Sequence, residues 1–281
     1  MSRDYGVIDY MNYPFTPDYI KNWVEAQKGE LKCRMEASLG ELKGIEVEEY
    51  VKGMDKVGVE KVFITQNKMF SFFNKWMYQD TKLEDVLQYT QKYPDRFVGL
   101  AGYNPFRISD SLKEIELSVK EHGFKGVYVH IYGFDIPLTD RRMYPLYAKC
   151  VELDVPVSMQ VGYVLEGMPS EGGRPIYLDR IAVEFPDLKI IGSHTGYPWC
   201  EELISICYKF DNVYLGLDAH MPRYWDPAVV KFAQSRGQDK VIWGTNGLPW
   251  DVMLDQIDAM GFKEGVKQKL LRDNVIKAFK L

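Results

Sequence analysis

Histidine and cysteine, the residues that most often bind transition metals or act as nucleophiles, are scarce in this sequence. The chain of 281 residues has four of each. Its cysteines, Cys33, Cys150, Cys200 and Cys207, are widely spaced and form no CxxC pair, so neither a disulfide scaffold nor a cysteine-based metal site is expected. We expect reduced and mostly buried thiols.

Long apolar runs and an excess of basic residues are also missing. No segment approaches about 18 uncharged apolar residues, so nothing predicts a membrane span. The apolar run at Val7 and Ile8 is too short for a secretory signal peptide, and the lack of targeting signals leads us to expect a cytoplasmic protein. With 35 basic and 40 acidic side chains, the formal charge is −5, which argues against nucleic acid as a partner.

Eight short β-rich segments recur along the chain, and each is followed by residues with helical spacing. Most of the eight are apolar on both faces, as buried parallel strands are. They are residues 6–10, 61–65, 97–101, 126–130, 155–160, 189–193, 212–217 and 240–245. Helical patterns lie at residues 47–57, 83–92, 109–122, 143–153, 175–185, 198–209 and 227–236. This alternation predicts an α/β fold, a closed (β/α)8 TIM barrel that occupies residues 1–281 as one domain.

The residues that close these predicted strands are unusually polar. In such barrels the chemistry takes place at the carboxyl ends of the strands, so these side chains form the expected site. They are Tyr10, Asn12, Gln66, Asn67, Tyr103, Asn104, Tyr128, His130, Gln160, His194, Asp218, His220 and Asn246. Two longer segments, residues 66–80 and 161–175, are expected to overhang the barrel mouth. A core or dimer-packing helix is an equal alternative for residues 66–80.

Several segments resemble the amidohydrolase-related barrels, a family that includes aminocarboxymuconate semialdehyde decarboxylase, resorcylate decarboxylase and pyrone dicarboxylate lactonase. The most specific segments are residues 54–61 (MDKVGVEK), 123–127 (GFKGV), 144–147 (YPLY), 185–196 (FPDLKIIGSHTG) and 237–245 (GQDKVIWGT). The resemblance covers nearly the whole chain, and it implies the same TIM barrel.

The resemblance also implies a metal site that this sequence does not reproduce. Metal-dependent members carry two histidines at the end of the first strand, where this chain has Tyr10 and Asn12. The family's third and fourth ligands, a histidine and an aspartate, fall on Gln160 and Asn246. Phenols and neutral amides offset little of the cost of dehydrating zinc or manganese, so we predict no metal and no other cofactor. The alternative is a metal site built from other rim residues, namely His130, His194, His220 and Asp218.

The family's proton-shuttling histidine is retained as His194. We predict that His194 is the acid–base catalyst and that Tyr10 and Asn12 assist it by donating hydrogen bonds to a developing anion. The alternative for His194 is a packing role in the core. Further side chains are predicted to bind the substrate, with Arg223 as a possible carboxylate clamp: Gln160, Asn246, His130, Tyr128, Tyr163, Asp218, His220, Arg223 and Trp250.

These residues lead to a hypothesis for function. We expect a metal-independent lyase of the non-oxidative decarboxylase type that acts on a small cyclic or aromatic carboxylated substrate through His194. One alternative is a metal-independent hydrolase of a lactone, amide or C–C bond, although the lactonase branch relies on the aspartate that is Asn246 here. Another is a non-catalytic protein that binds a small molecule. The resemblance also implies a homodimer or higher homo-oligomer, with residues 66–80 as the nominated contact.

Overall fold

The chain forms a parallel barrel in the computed structural model, which describes residues 4–27 and 41–281. Its strands are β1 (Val7–Asn12), β2 (Val59–Thr65), β3 (Lys68–Phe70), β4 (Met77–Asp80), β5 (Phe97–Gly102), β6 (Gly126–Val129), β7 (Val157–Gln160), β8 (Ile190–Ser193), β9 (Val213–Leu217) and β10 (Val241–Trp243). All except β3 and β4 pair in parallel and in chain order within one eight-stranded sheet. The sheet curves almost into a closed barrel, so the predicted TIM barrel is confirmed.

Helices between the strands cover the outside of this sheet. They are Pro17–Gln27, Val47–Val57, Leu83–Thr90, Ile108–Lys120, Tyr144–Glu152, Tyr177–Glu184, Cys200–Lys209, Pro227–Ala233, Trp250–Ala259, Glu264–Gln268 and Asn274–Phe279. Their ends follow the expected local chemistry. Asp226 caps the helix that begins at Pro227 by accepting a hydrogen bond from the main chain of Ala228 at 2.8 Å. Gly58 ends the helix Val47–Val57 with a positive φ of 76°, which glycine adopts readily.

The C-terminal helix closes the amino-terminal end of the barrel. The ring of Phe279 packs edge-on against Phe63, with 4.7 Å between the ring centroids, and 6.3 Å from the ring of Tyr10. Ile8 and Val275 belong to the same buried cluster. Because this end of the barrel is filled with apolar side chains, the carboxyl-terminal ends of the strands are left to form a cavity.

Asp9 joins the first and last strands of the barrel. The order of paired strands begins at β1 and ends at β10. The buried carboxylate of Asp9 accepts hydrogen bonds from the main-chain nitrogen of Thr245 at 2.9 Å and from its hydroxyl at 2.6 Å. Beside it, the main-chain nitrogen of Asn246 donates to the carbonyl of Met11 at 2.8 Å. These bonds satisfy main-chain groups where the two strands meet.

Residues 66–80 do not form the helix that the sequence allowed. Strands β3 and β4 pair antiparallel as a hairpin, with Lys68 opposite Asp80. The buried ammonium of Lys68 lies 3.0 Å from a carboxylate oxygen of Asp80 and 3.3 Å from one of Glu114. Phe70 stacks on Phe134, with ring centroids 5.2 Å apart. This hairpin therefore contributes buried side chains near the barrel mouth, and its predicted role in oligomer contacts stays a prediction.

The thiols of Cys150, Cys200 and Cys207 are free and buried, as predicted. Cys33 lies outside the described residues. No helix within the described ranges has the length and apolarity that a membrane crossing requires.

Candidate active site

A cavity of about 410 Å³ opens at the carboxyl-terminal ends of the strands. Many of its lining residues occupy the last two positions of a strand or lie within three residues after it: Met11, Thr65, Asn67, Tyr128, Gln160, His194, His220 and Asn246. The hairpin adds Met69 and Gln79, and the loop after β7 adds Tyr163, Leu165 and Glu166. Several strand ends therefore meet at one cavity, although Tyr10, His130 and Asp218, which were also expected there, are not part of its lining.

His194 is fixed in this cavity by Asp218. Nδ1 of the His194 ring lies 2.6 Å from Oδ2 of Asp218. The other carboxylate oxygen accepts hydrogen bonds from the main-chain nitrogen of His194 at 3.0 Å and from the hydroxyl of Tyr10. Asp218 and Tyr10 are completely buried behind His194. Since Nδ1 is engaged by Asp218, Nε2 is the ring nitrogen left for the cavity.

Asp218 keeps its negative charge despite its burial. Burial raises the pKa of its carboxyl, but the charge of His194 and the hydrogen bonds from His194 and Tyr10 outweigh it, and the pKa falls below the usual value. Burial, and then the charge of Asp218, raises the pKa of Tyr10 well above its usual value, so this phenol remains a hydrogen-bond donor. A charged Asp218 in turn favours the tautomer of His194 with a proton on Nδ1.

The main chain is strained around the cavity. His194, Thr195, Ala219 and Asn246 have positive φ angles of 67°, 59°, 64° and 55°, although none of them is glycine. Such a conformation costs about 1 kcal/mol or more at each non-glycine residue and persists where surrounding contacts enforce it. For His194 that contact is the hydrogen bond from its main-chain nitrogen to Asp218.

Amide side chains provide neutral hydrogen-bond donors to the cavity. The carbonyl oxygen of Gln160 accepts a hydrogen bond from the hydroxyl of Tyr128 at 3.0 Å. Similarly, Oδ1 of Asn67 accepts from the hydroxyl of Thr65 at 2.8 Å. Because both amide oxygens are engaged, the two NH₂ groups are the parts of these side chains that remain for a ligand. They can stabilise an anion that forms on a bound substrate.

Asn12 does not face this cavity, which corrects its expected position. Its Nδ2 donates to the hydroxyl of Tyr50 at 2.9 Å, on the outer side of the strand. The pairing of β1 with β2 is irregular between Asp9 and Asn12, so simple alternation along the strand fails there. Met11 and Tyr13 line the cavity instead.

Trp250 and Arg223 also lie away from the cavity lining. The indole nitrogen of Trp250 donates to Oδ2 of Asp9 at 2.9 Å, where the first and last strands meet. Arg223 is exposed, and its guanidinium lies 4.8 Å from the centroid of the Tyr224 ring. Neither residue contacts the cavity, so the expected carboxylate clamp at Arg223 is not formed in this arrangement.

The remaining predicted histidines take different positions. His220 lines the cavity beside Tyr163, with ring centroids 6.1 Å apart, and burial lowers its pKa. His130 is buried below the cavity lining, with its ring centroid 5.2 Å from that of Tyr132. Burial, and then the charge of His194, lowers the pKa of His130 to about 3, so its imidazole is neutral in the ordinary pH range.

Sequence reasoning did not place Glu166 in the cavity. This residue lies in the loop after β7 and lines the cavity. Burial raises the pKa of its carboxyl, although the charge of His194 and a hydrogen bond from Tyr78 act in the opposite direction. The available signal was the pair of carboxylates, Glu166 and Glu171, in residues 161–175, the loop that was expected to overhang the mouth. The irregular path of that loop prevented a prediction of where Glu166 points.

The alternative metal site proposed from the sequence does not form. Across residues 4–27 and 41–281, no three His, Cys, Asp or Glu side chains come together in a way that could hold a metal ion. Asp218 is directed at Nδ1 of His194, and His130 is outside the cavity lining. The alternative built from the rim histidines is therefore wrong for the described part of the chain.

Comparison with known proteins agrees with this architecture. The model of the family described as amidohydrolase matches residues 69–281. The chain is 32% identical over 130 residues to 2-keto-4-carboxy-3-hexenedioate hydratase from Sphingobium sp. (strain SYK-6), and this match spans 38% of each protein.

Solved structures extend the likeness in fold over nearly the whole chain. One is 5-carboxyvanillate decarboxylase from Novosphingobium aromaticivorans, solved with manganese, with a TM-score of 0.73 and 20% identity, covering 99% of this chain and 97% of that one. Another is 4-oxalomesaconate hydratase from Rhodopseudomonas palustris, with a TM-score of 0.64 and 20% identity, covering 98% and 95%. Because the family model also matches well over half of the sequence, the protein belongs to the amidohydrolase family of enzymes.

Proposed function

We propose that this protein is a metal-independent lyase in which His194 transfers a proton to or from a small carboxylated substrate. The observation that carries this proposal is the 2.6 Å contact between His194 Nδ1 and the buried, charged Asp218. It fixes the ring and leaves Nε2 for a ligand in a cavity of about 410 Å³. A positioned imidazole of this kind contributes about 10²- to 10⁴-fold to the rate of a proton-transfer step.

Non-oxidative decarboxylation, the reaction expected from the sequence, needs one proton on carbon. The bond between the substrate carbon and its carboxylate breaks, carbon dioxide leaves, and the electron pair stays on the carbon. The imidazolium form of His194 then donates the proton from Nε2 to that carbon. The free NH₂ groups of Gln160 and Asn67 can stabilise negative charge on the substrate during this step.

The residues at the family's metal positions do not fit a metal ion. The hydroxyl of Tyr10 donates to Asp218, and the amide of Asn12 points at Tyr50. Gln160 accepts from Tyr128, and Asn246 is a neutral amide. Zinc and similar transition-metal ions bind chiefly to carboxylate, imidazole or thiolate ligands, and none of these four side chains supplies one. For this reason the proposed chemistry depends on protein side chains alone.

Addition or elimination of water is a second candidate within the same class of reaction. It is supported by the curated relative, which is named as a hydratase. The same nitrogen of His194 would remove a proton from water in this case. In hydrolysis of a lactone or amide, His194 would also remove a proton from water. The product would then be the hydrolysed acid instead of a hydrated or dehydrated compound.

The test is a comparison of variants on the compounds that the similar proteins are named for. These are 5-carboxyvanillate and 2-keto-4-carboxy-3-hexenedioate. Carbon dioxide release and loss of the conjugated double bond would be followed for wild type, His194→Ala and a control, His122→Ala, which lies outside the cavity lining. We expect a 10²- to 10⁴-fold loss of turnover in His194→Ala only. Equal turnover by His194→Ala contradicts the proposal, as does binding without turnover by wild type.

A further inference from the structure

Glu166 differs chemically from every other described residue of the cavity lining. It is the one carboxylate there, and the described part of the lining contains no lysine or arginine. His194 and His220 are the histidines of the same lining. Glu166 and His194 therefore form a pair of different acid–base groups within one cavity.

The surroundings of Glu166 favour a carboxylic acid over a carboxylate. The titratable side chains that interact with it are four tyrosines and one histidine, namely Tyr13, Tyr78, Tyr128, Tyr132 and His194. Burial is the main cause of its raised pKa. A carboxyl with a raised pKa holds its proton more readily than a free one and can deliver it to a substrate, whereas His194, oriented by Asp218, can accept one.

The cavity lining also carries two hydrogen-bond acceptors without a partner among the described residues. Oε1 of Gln27 and Oε1 of Gln79 are buried and have no partner within the described residues. Both side chains line the cavity and are at least nine-tenths buried. Buried amide oxygens normally accept a hydrogen bond, and here a water molecule or a hydroxyl group in the cavity can provide it.

We propose that Glu166 is the second acid–base group of this site and that the pair adds or removes water across a carbon–carbon double bond conjugated to a carbonyl. This inference rests on the proposed function, since it needs His194 as the first group. Decarboxylation requires one proton to be delivered to carbon. Water addition requires two proton movements in one turnover, and the cavity holds two groups suited to them.

The proposed step balances without a further reactant. Nε2 of His194 takes a proton from water while the water oxygen bonds to the β-carbon of the double bond. The electron pair of the double bond moves to the α-carbon, and the conjugated carbonyl delocalises it. Glu166 then gives its proton to the α-carbon, so the product has gained one hydrogen and one hydroxyl. Proton exchange with solvent restores neutral His194 and protonated Glu166, and the reverse sequence eliminates water.

The test uses the full chain and 2-keto-4-carboxy-3-hexenedioate as the probe. Loss of the double bond and incorporation of solvent deuterium at the α-carbon would be measured for wild type, Glu166→Gln, His194→Ala and Glu171→Gln. Glu171 is a matched control, because it lies in the same loop with a side chain that is 61% exposed. We expect at least a 100-fold loss of turnover in Glu166→Gln and in His194→Ala, and no change in Glu171→Gln.

The outcomes separate this inference from the proposed function. Loss of activity in His194→Ala with wild-type activity in Glu166→Gln overturns the role of Glu166 and leaves the lyase intact. Full activity in His194→Ala overturns the proposed function itself. A wild-type protein that adds no water to the probe, or that releases carbon dioxide from it, overturns the assigned reaction.

A second measurement tests the protonated state of Glu166 without any substrate. Because its pKa is raised in the folded protein, the wild type loses stability as pH rises from the unfolded pKa of Glu through the folded one. Glu166→Gln cannot titrate. Its melting temperature relative to wild type is therefore expected to increase as pH rises above the ordinary pKa of glutamic acid, whereas that of Glu171→Gln relative to wild type does not change. If the difference in melting temperature between Glu166→Gln and wild type does not change with pH, the inference is overturned.

Discussion

Asp218 holds His194 at two points, the ring nitrogen Nδ1 and the main-chain nitrogen, at 2.6 and 3.0 Å. A single carboxylate at the end of β9 therefore fixes both the rotation of the imidazole and the strained main chain at the end of β8. Because the hydroxyl of Tyr10 also donates to it, this carboxylate has little freedom to turn. The orientation of the His194 ring, the proposed acid–base group, is thus set by a residue outside the cavity lining.

Replacing Asp218 with Asn is expected to lower kcat by about 10²- to 10⁴-fold with a smaller change in KM. The amide keeps the shape of the side chain but removes the charge that favours a proton on Nδ1. Tyr10→Phe removes one donor and leaves the charge, so we expect a loss of about tenfold or less. Steady-state kinetics on a substrate that the wild type converts would check both variants. Wild-type kcat in Asp218→Asn, in a protein with an unchanged circular dichroism spectrum, would show that Asp218 does not orient His194.

His130 is expected to make the protein less stable in mild acid. Its folded pKa is about 3, below the ordinary value of 6.5, so the unfolded chain binds a proton that the folded chain rejects. Stability from this group is therefore lost as pH falls below about 6.5. Between pH 7.5 and pH 5 the expected loss is about 2 kcal/mol. Urea unfolding of wild type and His130→Gln at both pH values would measure it, and an equal pH dependence in the two proteins would contradict it.

Asp9 is expected to be the most important polar side chain for closing the barrel. It accepts hydrogen bonds from two groups of Thr245, from the Trp250 indole and from the main-chain nitrogen of Met11. Asp9→Ala leaves these donors buried without an acceptor, which we expect to lower the free energy of unfolding by about 3–5 kcal/mol. Thr245→Val removes one donor and should cost about 1 kcal/mol. Urea unfolding would measure the free energy of unfolding of Asp9→Ala and Thr245→Val. Similar losses in the two variants would argue against a central role of Asp9 in closing the barrel.

Much of the barrel could be predicted because its strands have a simple sequence signature. Buried parallel strands are apolar on both faces, so segments such as 189–193 and 212–217 were recognisable without any structure. The cavity positions of His194 and Gln160 followed from the rule that chemistry lies at the carboxyl ends of strands. These predictions depend on regular geometry, and they hold where the geometry is regular.

The residues that were misplaced lie where that regularity ends. Alternation along β1 should have pointed Asn12 inward, but the irregular pairing after Asp9 turns it toward Tyr50. Trp250 and Arg223 follow their strands by several residues, and their positions depend on loop paths. Glu166 was overlooked for the same reason. Local sequence does not determine a loop path, because contacts with distant residues choose among many allowed conformations.

Purified protein is expected to contain far less than one transition metal per chain when it is prepared without added metal or chelator. Dialysis against EDTA should leave kcat unchanged, since the side chains at the family's metal positions are a phenol and three neutral amides. Elemental analysis by mass spectrometry, before and after dialysis, would measure the ratio. Metal near one equivalent, lost together with activity and regained on adding manganese or zinc, would contradict the proposed chemistry. The His194→Ala variant then provides an independent check, because a reaction that depends on His194 should lose turnover in this variant with or without chelator.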